Sequence, residues 1–271
     1  MSKQKIHFIT YGDTQKYGIS KKHILNLAKN SNIFNECIGY KKEDLDINFL
    51  NKYKKIFEAS RGGGFYIWKQ KIIFDHLQSM NQNDILFYSD AGSSFNPLGK
   101  KRFLEYIELL NLSEFGNLRF ENKKKYIEKY WTIKELFDYF NIAMNSEEAQ
   151  STQLMGGHLM FKNNKHTNLF FENFFKTLEY DSLLVTDHYS ENQIPGFLEN
   201  RHDQSIMSII TKLIGGVILQ NETFFEKGSE VQKDYPILSV RNYGHGLKDK
   251  IRYTFNVENK KNIPVFFWNI N

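Results

Sequence analysis

The run Asp84-Ile85-Leu86-Phe87-Tyr88-Ser89-Asp90-Ala91-Gly92 decides the fold. Residues 84–88 are nearly all apolar without alternation, which is how a strand covered on both faces reads. The run then breaks into Ser-Asp-Ala-Gly, where the chain must turn and where an open α/β sheet presents its ligand crevice. Upstream, residues 6–10 form a short apolar stretch ending in Tyr11-Gly12-Asp13. A helix capped by Ser20 and carrying Ile24, Leu25, Leu27 and Ala28 follows, and residues 34–40 read as a second strand. Phe49, Leu50, Tyr53, Ile56 and Phe57 keep helical spacing until Gly62-Gly63-Gly64 interrupts it, and Ile67, Ile72, Ile73 and Leu77 mark the inward face of a further helix. Strand, helix, strand, helices, strand is the order of a nucleotide-binding half-domain around a mostly parallel sheet.

Downstream the pattern is less regular. Helices are expected over 103–110, 133–140 and 168–180, with a strand over 118–120 and another over 153–161 kinked at Gly156-Gly157. A polar, proline-bearing loop over 186–200 precedes Arg201-His202-Asp203-Gln204, which opens a helix with Ile206, Ile209 and Ile210. Long loops inside compact domains tend to carry function. With no repeat, low-complexity tract or linker, the 271 residues are expected to form one domain. Residues 1–95 would be its nucleotide-binding half and 96–271 its acceptor and catalytic half.

Composition narrows the classes. An aromatic fraction of 15% argues for a real core and against disorder. Cys37 is the single cysteine, which excludes an intramolecular disulfide framework and any multi-cysteine metal centre and suits a reducing cytoplasm. The formal charge of +5 fits an anionic small ligand or a membrane surface without demanding either. The basic runs at 100–102 and 123–125 are short and lie beside helical patterns, so they read as solvated faces and no nucleic-acid partner is expected. The start lacks a secretory apolar region, and no apolar run reaches membrane-spanning length.

Three constellations can carry chemistry, and each has a plain structural alternative. Asp90 either opens a turn or holds a divalent metal from the strand end. Arg241-Asn242-Tyr243-Gly244-His245-Gly246-Leu247-Lys248 is either a glycine-rich surface turn or a place where His245 completes a metal shell and Lys248 meets a diphosphate. Asp203-Gln204 either caps a helix or orients sugar hydroxyls beside a reacting carbon. His158, His188 and His202 read as structural or surface histidines, and Trp68 as core or stacking platform.

Taken in order, Tyr11-Gly12-Asp13, Arg61-Gly-Gly-Gly-Phe-Tyr-Ile-Trp68-Lys69, the strand ending in Asp90-Ala-Gly92, Gly156-Gly157-His158, Arg201-His-Asp203-Gln204 and Gly244-His245-Gly-Leu-Lys248 resemble a GT-A glycosyltransferase. The pattern is similar to small bacterial and viral surface-glycan sugar transferases with glycogenin-like features, over about residues 5–250. The resemblance implies a GT-A-like, Rossmann-type α/β domain with a mostly parallel central sheet flanked by helices. It also implies a nucleotide diphosphate sugar donor and a glycan or lipid-linked glycan acceptor, with transfer in the cytoplasm or at the inner face of the membrane, where a peripheral contact is allowed. Tyr11, Gly12, Asp13, Arg61, Lys69, Asp90, Gly157 and Lys248 would bind the donor, Asp90 and His245 a manganese or magnesium ion, and Asp203 and Gln204 would act on the sugar. The family's Asp-x-Asp is incomplete: Tyr88 or Gly92 stands where the second carboxylate belongs. That gap keeps open a catalytically inactive nucleotide-sugar or glycan-binding module. A metal phosphohydrolase is disfavoured, because the several carboxylates that hold two metals are absent.

Overall fold

The computed structural model describes residues 3–225 and 230–239. The first half alternates as the pattern requires: β1 (Ile6–Tyr11), α1 (Gln15–Asn30), β2 (Glu36–Tyr40), α2 (Ile47–Lys52), α3 (Lys54–Phe57), the turn α4 (Gly62–Phe65), α5 (Ile67–Ser79) and β3 (Ile85–Ser89). After it come β4 (Ser94–Phe95), α6 (Lys100–Leu112), β5 (Asn117–Phe120), α7 (Lys134–Tyr139), α8 (Glu147–Gln150), β6 (His158–Lys162) and α9 (Lys165–Tyr180). The last described elements are α10 (Asp203–Ile214), β7 (Val217–Leu219) and β8 (Ile237–Leu238).

Six strands form the central sheet in the order β2-β1-β3-β6-β5-β7. β2, β1 and β3 are parallel neighbours, β6 runs antiparallel between β3 and β5, and β7 is parallel to β5. A second, two-stranded sheet pairs β4 with β8. This is a mixed α/β architecture with a six-stranded central sheet flanked by helices.

Strand alternation divides the core between the two faces of the sheet. Ile9, Leu86, Tyr88, Leu159 and Phe161 pack with the inner sides of α5, α9 and α10, while Phe8, Ile85, Phe87, Leu118 and Met160 pack with α1 and α6. Every residue of β3 is buried, so the unbroken apolar run has its expected cause. Ile67, Ile72, Ile73 and Leu77 of α5 are at most 2% exposed, again as their spacing requires.

Three expectations need correction. The first helix starts at Gln15, because the Thr14 side chain accepts from the Tyr17 amide, and Ser20 is a buried residue inside it. Tyr53 divides the helix read over 49–57 into α2 and α3. The strand read over 153–161 begins only at His158. Before it, Leu154 makes a single bridge to Glu121, and Gly156 and Gly157 leave the sheet to pass against Gln204 and Asp90.

Candidate functional site

The carboxyl ends of β1 and β3 open onto a cavity of about 490 Å3, within the few hundred to a thousand Å3 usual for small-molecule sites. Tyr11, Asp13, Lys42, Gly62, Trp68 and Asp90 are among its walls. Tyr11 and Trp68 stack with ring centroids 3.8 Å apart and planes 20° off parallel. Trp68 is 7% exposed and stacks on the protein's own Tyr11, which is the core alternative. Gly12 is required by close approach, since a Cβ there would lie 2.6 Å from the Tyr17 carbonyl oxygen. The Asp13 carboxylate accepts from the Lys42 amide at 3.3 Å. Burial, then the neighbouring Asp13, pushes the Tyr11 hydroxyl well above its usual range, so it remains a phenol.

The Trp68 side chain is aimed by an unusual turn. Gly62, Gly63, Gly64, Phe65 and Tyr66 all have φ between 50° and 101°. Glycine takes such angles freely, but Phe65 and Tyr66 each cost on the order of 1–2 kcal/mol there. The turn is held by the Phe65 amide on Arg61 O at 2.9 Å and by Trp68 Nε1 on Gly62 O at 2.8 Å.

A second cavity, of about 370 Å3, adjoins the first, and Tyr66, Asp90 and Ser93 line both. Lys69, Gly156, Gly157, His202, Asp203 and Gln204 belong to its wall. Asp90 thus stands at the junction. Its Oδ1 accepts from the Tyr88 hydroxyl at 2.7 Å and lies 3.6 Å from Lys69 Nζ, its amide donates to Gly157 O at 2.9 Å, and its side chain is 46% exposed. A Cβ on Gly157 would come within 2.9 Å of Asp90 Oδ2, so the glycine is what admits the carboxylate.

Lys69, expected to bind the donor, is held by protein partners on the wall of the second cavity. Its ammonium is buried, 3.1 Å from Asp203 Oδ2 and 3.0 Å from Gly156 O. Burial lowers its pKa, but Asp203 and Asp90 more than offset that, and it stays a cation. Asp203 is the first residue of α10 rather than its cap: His202 holds the cap position without a side-chain bond. Burial pushes the Asp203 carboxyl up, and Lys69 and Gln70 pull against it. Its Oδ2 takes both the Lys69 contact and the Gln70 amide at 3.1 Å, and its Oδ1 accepts no hydrogen bond among the described residues.

The Gln204 carboxamide is also employed. Oε1 accepts from the Gly156 amide at 3.0 Å, and Nε2 donates to Gln153 Oε1 at 2.6 Å. Behind it, Gln153 Nε2 donates to Glu128 at 2.8 Å, and Glu128, fully buried, is paired with Lys212 at 2.9 Å and bonded to Ser208. This buried chain fixes Gln204 against the wall.

Arg61 lines the second cavity and is paired with Glu199 at 3.1 Å and Asp187 at 3.5 Å. Both acids belong to the 186–200 loop, no residue of which lines the second cavity. His158 donates and accepts between Ser89 Oγ at 3.0 Å and Ser239 Oγ at 2.8 Å, a structural role. His202 was not expected in the site, yet it lines the cavity with φ 56° and ψ −123°. Its Nδ1 donates to Val185 O at 3.1 Å, and Nε2 is buried without a hydrogen-bond partner among the described residues. No sequence pattern marks such a residue, because its position depends on a backbone angle that histidine rarely adopts.

His245 and Lys248 lie outside the described residues. Among the described residues, Asp90 and Asp203 are the acids of the second cavity, and Asp203 is committed to Lys69. A divalent ion at Asp90 would find one protein carboxylate there and a buried ammonium nearby, so the donor set fits an ion only if the ligand supplies oxygens of its own.

No protein-family model matches the chain, and no curated protein does. Among solved structures it is similar to a glycosyltransferase involved in the glycosylation of the major capsid of PBCV-1, at 11% identity over 93% of this chain and 98% of that one, TM-score 0.48. It is similar to the galactosyltransferase LgtC in complex with donor and acceptor sugar analogs, at 11% identity over 96% and 98%, TM-score 0.45. It is also similar to mouse xyloside xylosyltransferase 1, at 8% identity over 80% and 84%, TM-score 0.43. At such identities no residue assignment passes from them to this chain. Among the described residues no helix is long and apolar enough to cross a membrane.

Proposed function

We propose that the chain is a glycosyltransferase of one domain that moves a sugar from a nucleoside diphosphate sugar to a hydroxyl acceptor. The observation that carries this reading is the pair of cavities meeting at Asp90. One has an aromatic stack and strand-end backbone suited to a base and ribose; the other has a buried acid and amide suited to a sugar. Donor binding then spans the halves 1–95 and 96–271, with the base and ribose near Tyr11, Gly12 and Asp13, the diphosphate at Asp90 and Gly157, and the sugar at Asp203 and Gln204. Asp203 orients donor hydroxyls or, if the reaction inverts, takes the acceptor's proton through Oδ1. Lys69 and Arg61 act here as positioning residues, Lys69 holding Asp203 and Arg61 holding the 186–200 loop.

In this reading Mn2+ or Mg2+ is held by Asp90, His245 and the diphosphate, with Lys248 on the phosphates. When bound, such an ion supplies Lewis-acid stabilisation of the departing charge. The acceptor is a glycan or lipid-linked glycan of a capsule, lipopolysaccharide or other surface glycan, met in the cytoplasm or at the inner membrane face. A thermal-shift screen of nucleoside diphosphates and their sugars, with and without manganese, tests the proposal, because a ligand of the folded state raises its apparent stability. At least one nucleoside diphosphate should raise the melting temperature, and no shift from any would overturn the reading.

The second reading, an inactive binding module, is favoured by one observation, the lone carboxylate at the strand end. It predicts ligand-induced stabilisation with no release of nucleoside diphosphate from any donor.

A further inference from the structure

Far from the crevice, near the start of β1, three metal-binding side chains converge. His7 is four residues before Tyr11, about 13 Å along the strand. It is the register partner of Glu36 on β2, and His76 reaches the same point from α5. His7 Nδ1 lies 3.0 Å from His76 Nε2 and 3.0 Å from Glu36 Oε2, and the three ligand atoms all lie within 4.8 Å of one another. His7 and His76 are 8% and 4% exposed, while the Glu36 side chain is 48% exposed.

Hydrogen bonding alone satisfies this arrangement poorly. If His7 Nδ1 carries the proton, one N–H is shared between two acceptors at equal distance. If His76 Nε2 carries it, a bare Nδ1 faces a carboxylate oxygen with no proton between them. In either case two lone pairs face one hydrogen, whereas a cation at the centre accepts a lone pair from all three atoms at once. His7 Nε2 is buried without a partner in either case, so it does not discriminate.

The geometry agrees. Ligands about 2.0–2.2 Å from a tetrahedral zinc ion stand roughly 3.3 Å apart; both contacts of His7 Nδ1 are within a few tenths of an ångström of that, and the third separation is at most 4.8 Å. The Tyr40 hydroxyl lies 2.8 Å from His76 Nδ1; in the tautomer with the proton on Nδ1 it accepts that N–H and leaves the Nε2 lone pair facing His7 and Glu36, the outer-shell contact common to metal-bound histidines.

We propose that His7, Glu36 and His76 form a site for a borderline divalent cation of the zinc class, remote from the sugar crevice, with solvent in the fourth position. Two imidazoles and one carboxylate suit zinc better than magnesium or calcium, which prefer all-oxygen shells. The ion would clamp β1, β2 and α5 together. This inference does not rest on the proposed reaction.

Cobalt titration of the full chain tests it, since tetrahedral Co2+ shows intense visible bands and the aqueous ion does not. The expected result is one equivalent of intense absorbance, displaced by Zn2+, with zinc also raising the melting temperature. The bands should vanish in His76→Gln and in Glu36→Gln, a half-exposed site where folding is not at issue. They should persist in Asp90→Asn. Tyr40→Phe should weaken binding about tenfold or more. Only the pale spectrum of the aqueous ion, intense bands that survive both ligand substitutions, or loss of the bands in Asp90→Asn would each overturn the proposal.

Discussion

Lys69 reaches from α5 to set its ammonium 3.1 Å from Oδ2 of Asp203, with both side chains almost wholly withdrawn from solvent. A buried pair is costly to assemble, and removing one partner leaves an uncompensated charge. Lys69→Met should therefore destabilise the fold by about 3–5 kcal/mol in urea denaturation. The double change Lys69→Met with Asp203→Asn should recover most of that loss, because the two costs share one cause. A single-variant cost below about 1 kcal/mol would mean that water reaches the pair.

The left-handed turn makes a contrast between adjacent glycines. A Cβ on Gly64, at φ 101°, would lie 2.8 Å from Phe57 Cδ1 and 3.1 Å from its Cα, whereas on Gly63 it meets only Trp68 Nε1 at 3.8 Å. Gly63→Ala should cost about 1 kcal/mol, the left-handed penalty alone. Gly64→Ala should cost at least about 2 kcal/mol, since a clash with backbone is added. Equal losses in equilibrium unfolding would remove the packing argument.

Acid should weaken the protein through its buried histidines. Burial is the main cause that holds His158 and His202 down to about 4, from 6.5. Below pH 6.5 the unfolded chain takes up protons that the folded chain refuses until about pH 4. Stability present above that window is lost as the pH falls through it, at about 1.4 kcal/mol per pH unit for each histidine. His158→Gln should flatten the slope of unfolding free energy against pH between those limits, and an unchanged slope would show that the ring is protonated in the fold.

How far the sequence reveals this site depends on how local each cause is. The strand at 85–89 and the position of Asp90 follow from an apolar run and the turn after it, both written in adjacent residues. The inward face of α5 is equally plain from spacing. Lys69 was legible as a site residue but not as a buried ion partner, because Asp203 comes 134 residues later in the chain. Glu128 looks like a surface acid between Ile127 and Lys129, and only the arrival of Lys212, Ser208 and Gln153 makes it the fully buried centre of a network. Thr14 and Ser20 are both acceptable caps by type, and the choice between them was made by packing, which buries Ser20.

The aromatic stack gives a binding prediction. Tyr11 is half-buried against Trp68 in the first cavity, so Tyr11→Leu removes ring surface while sparing most of the core. Nucleoside diphosphate affinity should fall about tenfold, the order expected of one stacking contact, with kcat nearly unchanged. A fall in kcat at constant affinity would move the base away from this wall.

The central claim is that the sugar, not the nucleotide, meets Asp203. Turnover and nucleoside diphosphate affinity measured side by side in Asp203→Asn test it most directly, with circular dichroism confirming that the variant is folded. The account predicts a loss of turnover on the order of a hundredfold or more with nucleotide affinity nearly intact, the pattern left when an interaction made in the transition state is removed. Turnover and affinity falling together, or turnover left unchanged, would make Asp203 solely a structural partner of Lys69 and contradict the account.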